Sequence, residues 1–145
     1  MWINREGMAE TLLDFSNPKA YPAIGLVPLC HPRTTVCMDV ALIANQIIGR
    51  GTVMSESSTR GTFVVYDGSL PARGLSRYPC WSDANGVVTV DGPYMGWPQL
   101  RFLTVPVFLT GQFRTNQLVG LTAAAVQDLG RILSGTINDG ILNMR

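Results

Sequence analysis

The stretch TVPVFLTGQFRTNQLVGLTAAAVQDLG, residues 104–130, decides how the chain is read, because it runs from the strongest strand pattern in the sequence into its clearest helix pattern. Thr122 is placed to cap a helix whose first turn is AAAV. Leu121, Ala125, Val126, Leu129 and Leu133 then fall on one face at helical spacing, with Gln127, Asp128 and Arg131 on the other. The pattern predicts one short helix near 122–133, weakened by Gly130 and closed by Gly135, whose apolar face seals a β-domain through Leu121, Val126 and Leu129. Asp128 stands there as a single carboxylate with no nearby His, Cys or second acid, so a solvated helix face is the expectation rather than a catalytic one.

Upstream, Gly and Pro punctuate the chain often, and the segments between them read as strands. Tyr21–Leu29, Thr35–Ile43, Ile47–Ser55, Gly61–Asp67, Gly86–Val90 and Leu100–Leu109 are the expected strands, and Pro106 assigns its position in the last of them to an edge or a bulge. The echo between GRGTVM (49–54) and TRGTFV (59–64) fits two antiparallel strands joined by a short turn. DGSLPARGLSRYP, residues 67–79, reads as a loop, and TINDGILNMR as a turn at Asn138–Gly140 followed by a last strand, Ile141–Met144. The fold expected is mainly β: a compact β-barrel or β-sandwich-like domain over 21–145, with one short helix and an extended N-terminal arm over 1–20. The arm shows no strand alternation and only a possible turn of helix at Ala9–Phe15, yet it carries Trp2, Ile3, Leu12, Leu13 and Phe15.

A length of 145 residues suits one domain rather than two. The net charge of +1 is spread without blocks, which argues against nucleic acid and against an anionic membrane surface as partners. No apolar run is long enough to span a bilayer, and the opening MWINREGMAETLLDFS has acids where a signal peptide has its apolar core, so synthesis and residence in the cytoplasm of the producing cell are expected. Charged residues make up 14% of the chain, against roughly 25% in average soluble domains. Ten of the eleven basic residues are arginine and only Lys19 is lysine. Covered surfaces favour Arg, Met and aromatics, because a guanidinium is weakly hydrated and pairs in a fixed fork while an ammonium holds its water. Lysine also guards exposed sheet edges, so a β-rich chain nearly without it needs edges that are paired, closed or covered. A coding bias that exchanges Lys for Arg would give the same composition.

Candidate chemistry is sparse. CHPRTTVC places Cys30 beside His31, with Cys37 and Asp39 beyond. Short zinc loops space their ligand pairs two to four residues apart, and neighbours in an extended chain point to opposite faces, so convergence on one metal is not expected. A cysteine–histidine nucleophile needs a third group to orient the ring, and His31 is the single histidine. The reading is three reduced thiols, Cys30, Cys37 and Cys80, packed as small hydrophobes. Paired carboxylates would have to come from Glu56, Asp67, Asp83 and Asp91, all in turn-like contexts that attract acids for backbone reasons. No GxSxG, HExxH, Walker loop or dinucleotide fingerprint occurs. No catalytic residue, metal ligand or cofactor is therefore expected. Tyr78, Trp81, Tyr94 and Trp97 could stack a sugar, contact a protein or serve as core and rim.

The C-terminal pattern, VPVFLTGQFRTNQLVGL followed by TAAAVQDLGRILSG and a final short strand, resembles the small β-rich proteins that decorate or cement tailed-bacteriophage capsids, and the irregular N-terminal arm is similar to theirs. The resemblance implies a non-enzymatic virion structural protein that binds the outer capsid surface and cements neighbouring subunits. Its implied partners are the major capsid protein and copies of itself, with a homotrimer favoured, and its implied location is the virion. Partner-interface candidates are Trp2, Ile3, Leu12, Leu13, Phe15, Tyr94, Met95 and Trp97. The alternatives are another virion part (a tail, head–tail connector or head-fibre base subunit) and a small β-barrel enzyme or ligand-binding module using the CHP turn and the aromatic group.

Overall fold

The structure is a computed structural model that describes residues 35–90 and 100–144 together with Leu26, Pro28 and Leu29. It is mainly β. The strands are β1 (Cys37–Leu42), β2 (Ile47–Ile48), β3 (Val53–Glu56), β4 (Thr62–Val65), β5 (Ala72–Ser76), β6 (Cys80–Ser82), β7 (Val88–Val90), β8 (Leu100–Phe102), β9 (Val105–Phe108), β10 (Gly111–Arg114), β11 (Gly130–Gly135) and β12 (Gly140–Met144). A 3-10 turn covers Thr115–Gln117, and the helix α1 covers Ala123–Leu129. The expected strand Tyr21–Leu29 and the arm over 1–20 lie outside the described residues, apart from Leu26, Pro28 and Leu29.

Five strands close into a barrel in the order β1-β4-β3-β5-β9, whose one parallel pairing is β1 with β4. The GRGTVM/TRGTFV echo becomes the antiparallel β3–β4 pair, with Met54 opposite Val65 and Glu56 opposite Phe63. Alternation along the strands then sorts side chains to two cores. Val40, Leu42, Met54, Phe63, Val105 and Val107 form one, which Ile48, Cys80, Val88 and Val90 complete from the four-stranded sheet β2-β6-β7-β8. On the other side of the β3–β5–β9 wall, Val53, Leu75 and Phe108 stand in one lateral row and meet Phe113, Leu142, Met144, Ala125 and Leu129. That second core joins the barrel to α1 and to the three-stranded sheet β10-β12-β11.

Buried hydroxyls tie the turns between these sheets. Ser82 Oγ donates to the Ile43 carbonyl at 2.6 Å and accepts from the Gln46 N–H at 2.8 Å. Ser76 Oγ donates to Gly49 O at 2.7 Å and accepts from the Thr52 N–H at 3.0 Å. Every buried side-chain polar atom among the described residues has a partner, as close packing requires when an unmet polar group costs about 1–3 kcal/mol.

The structure corrects several expectations. Ile47–Ser55 is two strands, since the turn through Gly49–Gly51 takes the chain from the four-stranded sheet into the barrel. Leu100–Leu109 likewise splits at Leu103 and Thr104 into β8 and β9. Pro106 lies neither at an edge nor in a bulge: β9 pairs with β1 on one side and β5 on the other, in unbroken register from Cys37↔Phe108 to Val40↔Val105. Its carbonyl accepts from the Arg77 N–H at 3.3 Å, so its nitrogen faces the β5 side, where that ladder has ended at Ser76↔Val107 and no donor is needed. The supposed loop 67–79 contains β5, an inner barrel strand. The helix stops at Leu129 instead of reaching residue 133, and Leu133 lies in β11, exposed.

Candidate functional surface

The C-terminal closure is placed by α1. Thr122 Oγ1 accepts from the Ala125 N–H at 3.1 Å, the cap expected from the sequence. Ala125 and Leu129 are buried, while Leu121 and Val126 are half-buried at the margin of the same core. Asp128 is more than a solvated residue, since its Oδ2 accepts from the Ala72 N–H at 3.0 Å and pins the helix to β5. A small cleft of about 170 Å³ beside it is lined by Ala72, Arg73, Leu109, Thr110, Asp128 and Leu129.

Three other acids, Glu56, Asp67 and Asp83, are occupied by turns, while Asp39 lies exposed in β1 opposite Pro106. Glu56 Oε2 accepts from the Gly61 N–H at 3.1 Å. Asp67 Oδ1 accepts from the Ser69 hydroxyl at 2.5 Å and its N–H at 2.9 Å, which holds the carboxyl below the usual carboxylate range. Asp83 Oδ1 accepts from the N–H groups of Asn85 and Val87 at 2.8 and 2.9 Å. Asp83→Ala is expected to cost about 1–2 kcal/mol, because it frees two amide donors of the β6–β7 hairpin at once. A urea midpoint equal to the parent's would show that the turn stands without its acid. Asp91, Cys30 and His31 lie outside the described residues. Among the described residues no three His, Cys, Asp or Glu side chains group as metal ligands do, and no helix is long and apolar enough to cross a membrane.

Neither Cys37 nor Cys80 is in a disulfide. Cys80 is buried as a small hydrophobe, whereas Cys37 is exposed, because β1 begins beyond the end of the core it enters at Val40. Desolvation raises the Cys37 thiol, and Arg77 pulls it the other way by charge and hydrogen bond. The raised thiol is protonated at neutral pH, the wrong state for a nucleophile. Iodoacetamide at pH 7 is expected to modify the Cys37 peptide more slowly than free cysteine and faster as pH rises, with Cys80 unreactive until unfolding. Labelling of Cys37 at the rate of free cysteine would contradict this.

Of the aromatic group, Tyr78 lies beneath Arg77, whose guanidinium carbon is 5.1 Å from its ring centroid and 5.8 Å from that of Phe108. Trp81 is half-buried in β6 between Ile47 and Thr89. Trp2, Ile3, Leu12, Leu13, Phe15, Tyr94, Met95 and Trp97, the interface candidates, all lie outside the described residues.

What the structure adds is an apolar surface that sequence reasoning missed. The four-stranded sheet has two free edges among the described residues, β2 and β8. Ile47 on β2 is 87% exposed and Leu103, just past β8, is 76% exposed; Phe102 on β8 adds to the second margin, and Ile43 is exposed in the link between β1 and β2. Three of the eight large exposed hydrophobics among the described residues thus lie on or beside the edges of one sheet. The only signal for them in the sequence is the shortage of charge, since strand patterning marks these positions as core. No family model, curated protein or solved structure matches the chain.

Proposed function

We propose that the chain is a non-enzymatic structural protein of a phage virion, which binds the outer capsid surface and cements neighbouring subunits. The observation that carries this reading is the apolar fringe, Ile47, Phe102 and Leu103, on the edges of the four-stranded sheet that no other described strand pairs. Apolar side chains beside unpaired backbone are costly to leave in water and invite a covering chain. The low charge and the choice of arginine over lysine support it, as does the likeness of the C-terminal pattern to capsid decoration proteins. Cementing needs only buried area that is lost when a joint opens. Many modest contacts repeated by symmetry supply it, in a homotrimer on the major capsid protein, and an N-terminal arm widens the footprint.

Cosedimentation with assembled empty capsids tests the proposal. The full chain is expected to pellet with the shells. A chain lacking residues 1–15 is expected to stay in the supernatant while keeping the parent's thermal melt. If the full chain does not pellet, the cement role is wrong; if the shortened chain still pellets, the arm is not the anchor.

A further inference from the structure

The β10-β12-β11 sheet has one face in the core and one turned away from it. Phe113, Leu142 and Ile132 stand opposite one another on the inner face, with Met144 beside them, all buried or packed against the core. Alternation puts the next rows outside: Gln112, Asn143 and Arg131 form one, and Arg114, Ile141 and Ser134 the other. The register shifts between Ile132 and Ser134, so Leu133 is the extra residue of a bulge and is exposed beside Ser134. Helix α1 packs on β5 and on the inner side of this sheet, away from its outer face.

That face has an unusual charge balance for so charge-poor a chain. Arg114 and Arg131 are exposed on its two outer strands, about 12 Å apart on the backbone, two strands across and two residues along. Neither guanidinium has a hydrogen bond or ion pair among the described residues. No acid shares the rows: Asp128 is turned to the Ala72 amide, and Asp139 sits in the turn beyond the last pair, Gly135↔Gly140. Ile141 and Asn143 lie between the arginines on β12, both half-buried, and Gln112 and the exposed Leu133 take the other two corners of the face. Apolar side chains set beside exposed arginines, with no lysine or carboxylate among them, are the make-up of a protein interface.

We infer that the outer face of the β10-β12-β11 sheet docks an acidic protein surface, with Arg114 and Arg131 each pairing with a carboxylate beside the apolar Ile141 and Leu133. Planar guanidiniums hold carboxylates in bidentate pairs, and the missing acids on this face are what the partner supplies. Nucleic acid fits less well. Its two outer rows have no aromatic ring on which a base could stack, and Ile141 and Asn143 at its centre offer no charge to a phosphate backbone. The inference does not require that the partner be a capsid subunit.

Binding to immobilised poly-L-glutamate tests it, in parallel with duplex DNA, at an ionic strength near about 0.05 M where exposed charges are weakly screened. The full chain is expected to bind poly-L-glutamate in preference to DNA. Arg114→Ala with Arg131→Ala is expected to weaken that binding about tenfold with an unchanged thermal melt. Arg60→Ala with Arg73→Ala removes the same charge from the barrel and is expected to leave binding near the parent's. Leu133→Asp, which puts a carboxylate at the exposed bulge, is expected to weaken it as well. Equal loss in the two arginine pairs would reduce the effect to net charge and overturn the inference, as would preference for DNA or no binding to poly-L-glutamate by the full chain. Because no capsid enters the assay, its failure is separate from failure of the cement role.

Discussion

Gly130→Ala is expected to be the most damaging glycine-to-alanine change among the described residues. Gly130 ends α1 and begins β11, opposite Met144 on the central strand of its sheet. A methyl group built on it would lie 1.9 Å from the Asn143 carbonyl oxygen, 2.9 Å from its carbon and 3.0 Å from the Met144 Cα. All three are backbone atoms, and β12 is held by ladders on both sides, so no side-chain rotation relieves the clash. Either β11 leaves the ladder or α1 is pushed off the second core. The cost should be about 3 kcal/mol or more, which for a domain of this size lowers Tm by about 10 °C. Gly49→Ala is the control, since its nearest neighbour would be Thr52 Oγ1 at an ordinary 3.6 Å. A Gly130→Ala melt indistinguishable from the Gly49→Ala melt would show that β11 does not run against β12 as described.

Phe113→Ala should cost about 3–5 kcal/mol, as deletion of a fully buried aromatic does. Phe113 is completely buried, and its ring centroid lies 5.0 Å from that of Phe108 at a 52° tilt. It stands where three pieces meet: Phe108 from the barrel wall, Leu142 from the three-stranded sheet, and Ala125 with Leu129 from α1. The hole cannot close without drawing one of these off the others. Urea denaturation measures the loss, and a change under about 1 kcal/mol would mean that the pieces are held by something else.

Much of the β character was legible because local pattern and tertiary role agree. The run Thr35–Ile43 becomes β1 at Cys37–Leu42, with Val40 and Leu42 buried, and the echoed Arg-Gly-Thr segments pair as β3 and β4. The Thr122 cap and the apolar Ala125 and Leu129 were readable for the same reason: a cap and a helical stripe are set by residues within one or two turns. β5 was unreadable. PARGLS has the composition of a turn, and its small residues answer to a neighbour distant in sequence, since a Cβ at Gly74 would lie 2.5 Å from Val107 Cγ1 and 2.7 Å from Phe108 O on β9. Pro106 misled in the same way, because whether a missing N–H matters depends on which strand lies beside it. Cys37, grouped with the buried thiols, lies at the exposed start of its strand.

The candidate surfaces were the least legible part. Ile47 and Val53 both read as apolar strand residues, yet one is 87% exposed on an edge and the other is buried in a core. Arg114 and Arg131 are seventeen positions apart in sequence (131 minus 114) and share a face only because β12 lies between their strands. The sequence by itself determined that the protein is mainly β, that a short helix capped by Thr122 follows β10, and that its composition is poor in charge. These follow from alternation, capping and composition, which act over a few residues. Barrel closure, the division into two cores, and the apolar or basic character of each open face were decided only by the tertiary structure. They depend on which strands pair and on what covers each side, and those contacts join residues that the chain keeps far apart.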